Sequence, residues 1–248
     1  LVGYLSFRNG QKAIDNLVHE LIDRNSALIN QHLDTYLAIP HQVNQINARA
    51  IEMGLLDIHN LNQVNKFFWQ EMKIYDLTYL NFSLPSGEAA GVGRFDGITI
   101  TFDETRGKPP NNNKNYLTDD RGNRGKFNFI STWDTTSGPW YTEPVKAGKS
   151  VWTRIYTYYD PSYPPYVAAA AGRPVYDANH HLLAVIGAEI HLLKLSEFLR
   201  HLDVARHGQT FILERNGMLV ANSGETQPFI IIPKGNTKEI KRVQASES

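Results

Sequence analysis

Apolar residues recur at helical spacing from residue 11 to residue 39, at Ile14, Leu17, Val18, Leu21, Leu28, Ile29, Leu33, Tyr36 and Leu37. The pattern predicts one long helix, roughly 40 Å in length, which Pro40 ends or kinks. A second helix is expected to carry Val43, Ile46, Ala50 and Ile51, with Gly54 as its C-cap. A third, from near Asn60, carries Leu61, Val64, Phe67, Phe68 and Met72. At Leu77 the period shortens. Residues 77–84, 88–95, 98–102 and 126–132 read as strands, with a turn at Pro85-Ser86-Gly87 and a polar, mobile loop over 104–115. Pro139 opens a short helix. Long strands follow at 151–159, 166–176 and 182–190, then a helix at 192–201. Residues 209–215 and 218–222 form a hairpin about Asn216-Gly217. The last 25 residues hold Ile230-Ile231-Ile232 and then a polar, charged end. A long helix followed by antiparallel strands with helices between them is an α+β arrangement.

Composition narrows the function more than the fold. The 248 residues suit one large domain or two small ones. Lys plus Arg is 25 and Asp plus Glu is 25, which argues against a general nucleic-acid binder. The absence of cysteine excludes disulfides, thiolate metal sites and cysteine nucleophiles. No apolar run approaches the roughly 18 residues of a membrane span, and no signal peptide is present. The chain begins at Leu1 without an initiator Met and reads as a piece of something longer.

Candidate chemistry concentrates between residues 133 and 166. Those 34 residues hold three of the four tryptophans and six of the twelve tyrosines: Trp133, Trp140, Tyr141, Trp152, Tyr156, Tyr158, Tyr159, Tyr163 and Tyr166. This suits either a pocket with stacking faces and hydroxyl donors or the core of a sheet. Glu189 sits in an otherwise apolar strand, and alternation puts it on one face with Gly187 and Val185, opposite Ile186, Ala188 and Ile190. A carboxylate there faces either solvent or a polar pocket. Asp134, Glu143, Asp160 and Glu189 have no spacing that demands a glycosidase pair. His180 and His181 read as a surface turn rather than metal ligands, and Asp119–Asn123 as a turn rather than a calcium loop. Gly91-Val92-Gly93 lacks the third glycine and the strand-to-helix switch of a dinucleotide fingerprint. No cofactor is implied.

An ordered set of motifs extends across residues 133–223. Trp140-Tyr141 and Gly148-Lys149 come first, then a strand with Tyr156. Arg173-Pro174-Val175-Tyr176-Asp177, Leu183–Ile190, Leu195 and the hairpin Gly208–Ser223 follow. This set, with the long N-terminal helix and the segment from Phe68-Trp69 to Arg94, resembles the double Cache sensor domain of bacterial transmembrane receptors. The segments Tyr4–Gly10 and Gln31–Asp34 resemble receptors of cyanobacteria.

The resemblance implies a long spine helix at 1–40, a membrane-distal PAS-like ligand-binding module at 41–193 and an incomplete membrane-proximal PAS-like module at 194–248. It implies a non-enzymatic domain outside the cytoplasmic membrane, anchored by flanking helices. A homodimer is possible through the long helix. A small ligand in the distal module would signal along that helix to a cytoplasmic histidine kinase or nucleotide cyclase. A soluble ligand-binding or protein-interaction protein with a Cache-like fold is the alternative.

The pocket pattern of amino-acid-binding members is only partly matched. Trp133 stands for its first aromatic, Gly138 for its carboxylate-binding Arg, Tyr158 for an Asp and Glu189 for the final Asp, whereas Trp140, Tyr141 and Tyr156 conform. Arg154 or Arg173 could replace the missing Arg from another direction. The expected ligand contacts are Trp133, Trp140, Tyr141, Trp152, Tyr156, Tyr158, Tyr166 and Glu189, and the expected ligand is an amine or amino-acid-like compound.

Overall fold

A computed structural model describes residues 2–106, 111–163, 165–202, 208–235 and 237–247. Helix α1 runs without interruption from Val2 to Glu52 and carries Pro40 inside it. Its 51 residues make a rod roughly 76 Å long. The expected break at Pro40, with a separate helix after it, is therefore corrected. Proline removes one backbone hydrogen bond and strains the preceding turn, a cost of about 3 kcal/mol. Burial of the next turns offsets it. Val43, Asn44, Asn47 and Ala48 are wholly inaccessible, and the Asn44 amide donates to the Ala171 carbonyl at 2.7 Å. Gly54 ends the helix as expected, with φ +72° and its N–H on the Ile51 carbonyl.

The chain divides into two compact units. The larger comprises Ala38–Leu192 and Phe229–Arg242. In it, α2 (Leu61–Ile74) is capped by Asn60, whose side chain accepts the Gln63 N–H. The sheet is antiparallel and nine-stranded: β1 (Tyr79–Ser83), β2 (Ala89–Gly93), β3 (Thr101–Thr105), β4 (Asn111–Thr118), β5 (Arg124–Trp133), β6 (Val151–Trp152), β7 (Tyr156–Tyr158), β8 (Tyr166–Tyr176) and β9 (Leu182–His191). Its order is β5-β4-β3-β2-β1-β9-β8-β6, with β7 also paired to β8. Helix α3 (Pro139–Ala147) precedes β6.

Register sorts the sheet into two chemically different faces. Leu80, Phe82, Val92, Phe102, Ile186 and Ile190 lie on one face, fully or almost fully buried with Val43 of α1 and Phe68 and Met72 of α2. The Phe68 and Phe82 rings meet edge to face at 6.4 Å. The other face carries Tyr79, Glu189, Asn81, Gly187, Gly91 and Asp103, linked rung by rung through the pairs Tyr79↔Glu189, Asn81↔Gly187, Asn81↔Gly91 and Gly91↔Asp103.

The loop expected over 104–115 is largely strand: β3 extends to Thr105 and β4 starts at Asn111. Residues 107–110 lie outside the described residues. The polar composition hid a buried ladder, in which Asn113 and Asn115 point at Asp103 across the β3–β4 pair. The expected strand 151–159 is split between β6 and β7. Thr153 bonds both backbone groups of Ala170, through its N–H and its hydroxyl, and the chain bulges over residues 153–155.

The smaller unit comprises Leu1–Leu37, Leu193–Pro228 and Val243–Ser248. Helix α4 (Leu193–Arg200) buries Leu195 and Leu199, and Phe198 stacks on His32 of α1 at 3.7 Å. The hairpin β10 (Phe211–Leu213) and β11 (Leu219–Asn222) turns at Gly217, φ +82°. The expected polar end is a further hairpin, β12 (Phe229–Lys234) and β13 (Thr237–Arg242), registered Ile231↔Ile240 and Phe229↔Arg242. The isoleucine run supplies a partner strand for the polar, charged segment that follows it. Chain order takes this hairpin out of the smaller unit after Pro228 and back at Val243.

Candidate ligand site

A cavity of about 470 Å³ lies on the polar face of the larger unit's sheet. That volume is within the usual range of small-molecule sites. Two glycine pairs shape its floor. A Cβ on Gly91 would lie 2.3 Å from the Tyr79 hydroxyl, and one on Gly93 would lie 2.3 Å from the Phe95 ring. Gly91 and Gly93 thus let two aromatic rings lie flat on the strands. Gly172 and Gly187 are cross-strand partners beneath α3. A Cβ on Gly172 would meet the Trp140 carbonyl and the Pro144 ring at 2.7 Å, and one on Gly187 would meet the Asn81 amide at 2.3 Å and the Trp140 ring at 3.0 Å.

The walls are aromatic. Tyr166 stacks on His191 at 4.1 Å, and Tyr158 stacks on Tyr166 at 5.3 Å. Phe95 meets Tyr163 at 4.7 Å, and Trp133 lies between Tyr79 and Trp140. Burial, reinforced by nearby carboxylates, holds the hydroxyls of Tyr79, Tyr156, Tyr158, Tyr163 and Tyr166 well above the ordinary tyrosine pKa. They therefore act as neutral donors.

Two carboxylates face this ring. Asp103, 2% exposed, accepts hydrogen bonds from the Tyr163 hydroxyl at 2.8 Å and the amides of Asn115 and Asn113 at 2.8 and 3.1 Å, all on Oδ1. Burial pushes its pKa up, and these donors pull it part of the way back. Glu189, 5% exposed, accepts the Tyr156 hydroxyl on Oε2. Its Oε1 faces His191 Nε2 at 3.6 Å, beyond a hydrogen bond, and accepts no hydrogen bond among the described residues. The buried indole N–H of Trp140 also has no acceptor among the described residues.

Of the residues expected from sequence, Trp133, Trp140, Tyr156, Tyr158, Tyr166 and Glu189 line this cavity. Tyr141 instead packs with Trp140, Ala170 and Val185 in an apolar cluster, and Trp152 sets its ring edge-on to His41 of α1. The cavity also brings in Tyr79, Asn81, Phe95, Asp103, Asn113, Tyr163, Arg154 and Arg242. For Asp103 a signal was present, a carboxylate directly after Phe102 in an alternating strand. For Arg242 there was none, because its place depends on the path of a hairpin that begins only at Phe229, well beyond Glu189.

The two arginines considered as stand-ins differ. The Arg154 guanidinium is paired with Glu143, which also accepts the Arg154 backbone N–H, and 70% of its side chain is exposed. Arg173 is on the opposite face of β8, near His41, whose pKa is lowered by its own burial and, secondly, by the Arg173 charge. The acids weighed as a hydrolytic set do not converge. Asp134 accepts Thr136 in a turn, Asp160 accepts the Ser162 N–H, and Glu143 holds Arg154. Gly138 precedes α3 in an extended conformation, and a Cβ there would lie 2.8 Å from the Trp140 ring. Asp119 and Asp177 each organise a surface turn by accepting the backbone N–H groups that follow.

No protein-family model matches this chain, and no curated protein does. Among solved structures it is similar to the ligand-binding domain of the Campylobacter jejuni chemoreceptor Tlp3 in complex with L-valine, at 14% identity and TM-score 0.49, over 91% of this chain and 88% of that one. It is similar to the ligand-binding domain of the Pseudomonas aeruginosa PAO1 amino acid chemoreceptor PctB in complex with L-Gln, at 14% identity and TM-score 0.49, over 82% and 66%. A third similar structure is the ligand-binding domain of Mlp24 with asparagine, at 15% identity and TM-score 0.48, over 93% and 90%.

Proposed function

We propose that this chain is the extracytoplasmic small-molecule sensor domain of a transmembrane signalling receptor, and that its ligand enters the cavity with a cationic amine toward Glu189. The observation that carries the ligand reading is the Glu189 carboxylate. It is buried, held in place by Tyr156 and ringed by aromatic faces, with Oε1 facing His191 at 3.6 Å and accepting no hydrogen bond among the described residues. A buried carboxylate oxygen without a donor is costly, and an ammonium group satisfies it with charge and hydrogen bonds together. The aromatic walls add cation–π attraction.

The receptor reading is supported by the ordered double Cache motifs from Trp140 to Ser223. In this reading the chain performs no catalysis, and membrane anchors and a cytoplasmic kinase or cyclase belong to the parent protein. Among the described residues no helix is long and apolar enough to cross a membrane.

The test is a thermal-shift and calorimetric titration with isopentylamine, phenethylamine, tyramine and their α-carboxylated counterparts, on the wild type and on Glu189→Gln. A probe at about 100 times its Kd stabilises by roughly 2.7 kcal/mol, a shift of about 5–10 °C for a domain of this size. Binding by the wild type, with a loss on the order of 100-fold in Glu189→Gln, is the expected result. Equal affinity in the variant would refute the role of Glu189.

A further inference from the structure

We propose that the N-terminal half of α1 is a docking surface for the same helix of a second copy of this chain, in a parallel, in-register, two-stranded coiled coil. Residues 4–28 repeat in heptads. Phe7, Ile14, Leu21 and Leu28 stand at the d positions, each seven residues from the next. Tyr4, Gln11, Val18 and Asn25 stand at the a positions between them. The apolar and aromatic members of this stripe are 43–70% exposed. Leu17 and Ile22, exposed to the same degree, border it at the g and e positions, which a parallel partner brings together across the seam. The stripe continues to His32, where Phe198 of α4 stacks on it. Toward the N-terminus from there its apolar members are bare.

Area and polar layers identify the occupant. The bare apolar side chains present on the order of 800 Å² on one helix, about what each partner contributes to a stable interface and more than a monomer commonly leaves in one patch. Gln11 and Asn25 then select the partner. Any helix laid along this stripe covers both amides, and each must find a hydrogen bond there. In an antiparallel pair an a residue packs against d residues, so both amides would face Phe, Ile or Leu. A parallel pair shifted by one heptad sets Asn25 against Val18. The parallel, in-register pair sets Asn25 on Asn25 and Gln11 on Gln11, and each amide both donates and accepts. A single polar a residue fixes register and strand number in this way at some cost in stability. A straight α-helix drifts about 20° per heptad from such a stripe, so the pair would wind gently left-handed to keep it covered.

The experiment is sedimentation equilibrium of the whole 248-residue chain over about 1–200 µM, a range that exposes a concentration-dependent dimer. The chain has no cysteine, so single engineered cysteines report helix direction by oxidative cross-linking. The wild type should dimerise. Leu21→Asp should weaken the dimer on the order of 100-fold. Ala27→Asp puts the same charge on the opposite, exposed side of the helix and should leave the affinity within about threefold. Asn25→Leu should tighten association and admit species larger than a dimer. Gln11→Cys and Leu28→Cys should each cross-link to themselves. Thermal melts confirm that each variant is folded; none of these side chains lies in the core. A wild type that stays monomeric at the highest concentration overturns the proposal. So does a dimer that Leu21→Asp leaves intact, or one that Ala27→Asp weakens as much. Cysteine variants that dimerise without self-cross-linking, or that cross-link only to each other in a mixture, overturn the parallel, in-register seam. The cavity and Glu189 belong to the larger unit, so the ligand reading stands or falls separately.

Discussion

Glu71 offers a stability test that is independent of any ligand. It lies on the buried face of α2 beside Phe68 and Met72, 6% exposed, and its Oε2 has no hydrogen-bond partner among the described residues. Burial raises its pKa from 4.5 to about 7, and the nearby Asn47 amide offsets only part of that rise. The folded state therefore holds this proton more tightly than the unfolded chain. Stability from this group is complete below about pH 4.5, declines as pH rises, and is lost above about pH 7. The difference is worth about 3 kcal/mol. Glu71→Gln keeps the shape and removes the ionisation. It should equal the wild type near pH 4.5 and exceed it by about 3 kcal/mol at pH 8, roughly 6–12 °C in Tm. Urea unfolding followed by tryptophan fluorescence is the assay, since Trp69, Trp133, Trp140 and Trp152 all belong to the larger unit. Parallel pH profiles for the two proteins would refute the argument and mean that the carboxylate is solvated or paired in solution.

The remaining predictions concern the two faces of the sheet. Phe82→Ala deletes a wholly buried ring packed on Phe68 and should cost about 3–5 kcal/mol in urea unfolding; a loss under 1 kcal/mol would place the core elsewhere. Gly187→Ala puts a methyl 2.3 Å from the Asn81 amide and 3.0 Å from the Trp140 ring. It should cost about 1–3 kcal/mol, alter Trp140 fluorescence and weaken probe binding in the calorimeter; unchanged fluorescence and affinity would show that the floor tolerates a side chain.

The starts of α2 and α3, the strand order along the chain and the hairpin at Asn216-Gly217 were legible because each rests on local chemistry. Asn60 caps α2 with its own side chain, and Gly54 and Gly217 adopt positive φ. The face carried by Glu189 was legible too, since strand alternation needs no tertiary knowledge. Three features were not. Pro40 continues a helix because distant groups, the Ala171 carbonyl among them, secure the turns after it. Asn113 and Asn115 look like loop residues until Asp103 is opposite them. The charged segment 237–242 becomes a strand only because Ile230–Ile232 lies within reach of a turn at Gly235. Each depends on a partner remote in sequence, which periodicity cannot supply.

Trp140 links the legible part of the site to the part that was missed. Gly172 and Gly187 remove two side chains from one rung of the β8–β9 pair, so that α3 settles directly on the sheet and its first turn lays the indole across the strands. The same placement brings the ring within 2.8 Å of where a Gly138 Cβ would be. A long cation at position 138 would have to displace the ring that the glycine pair positions.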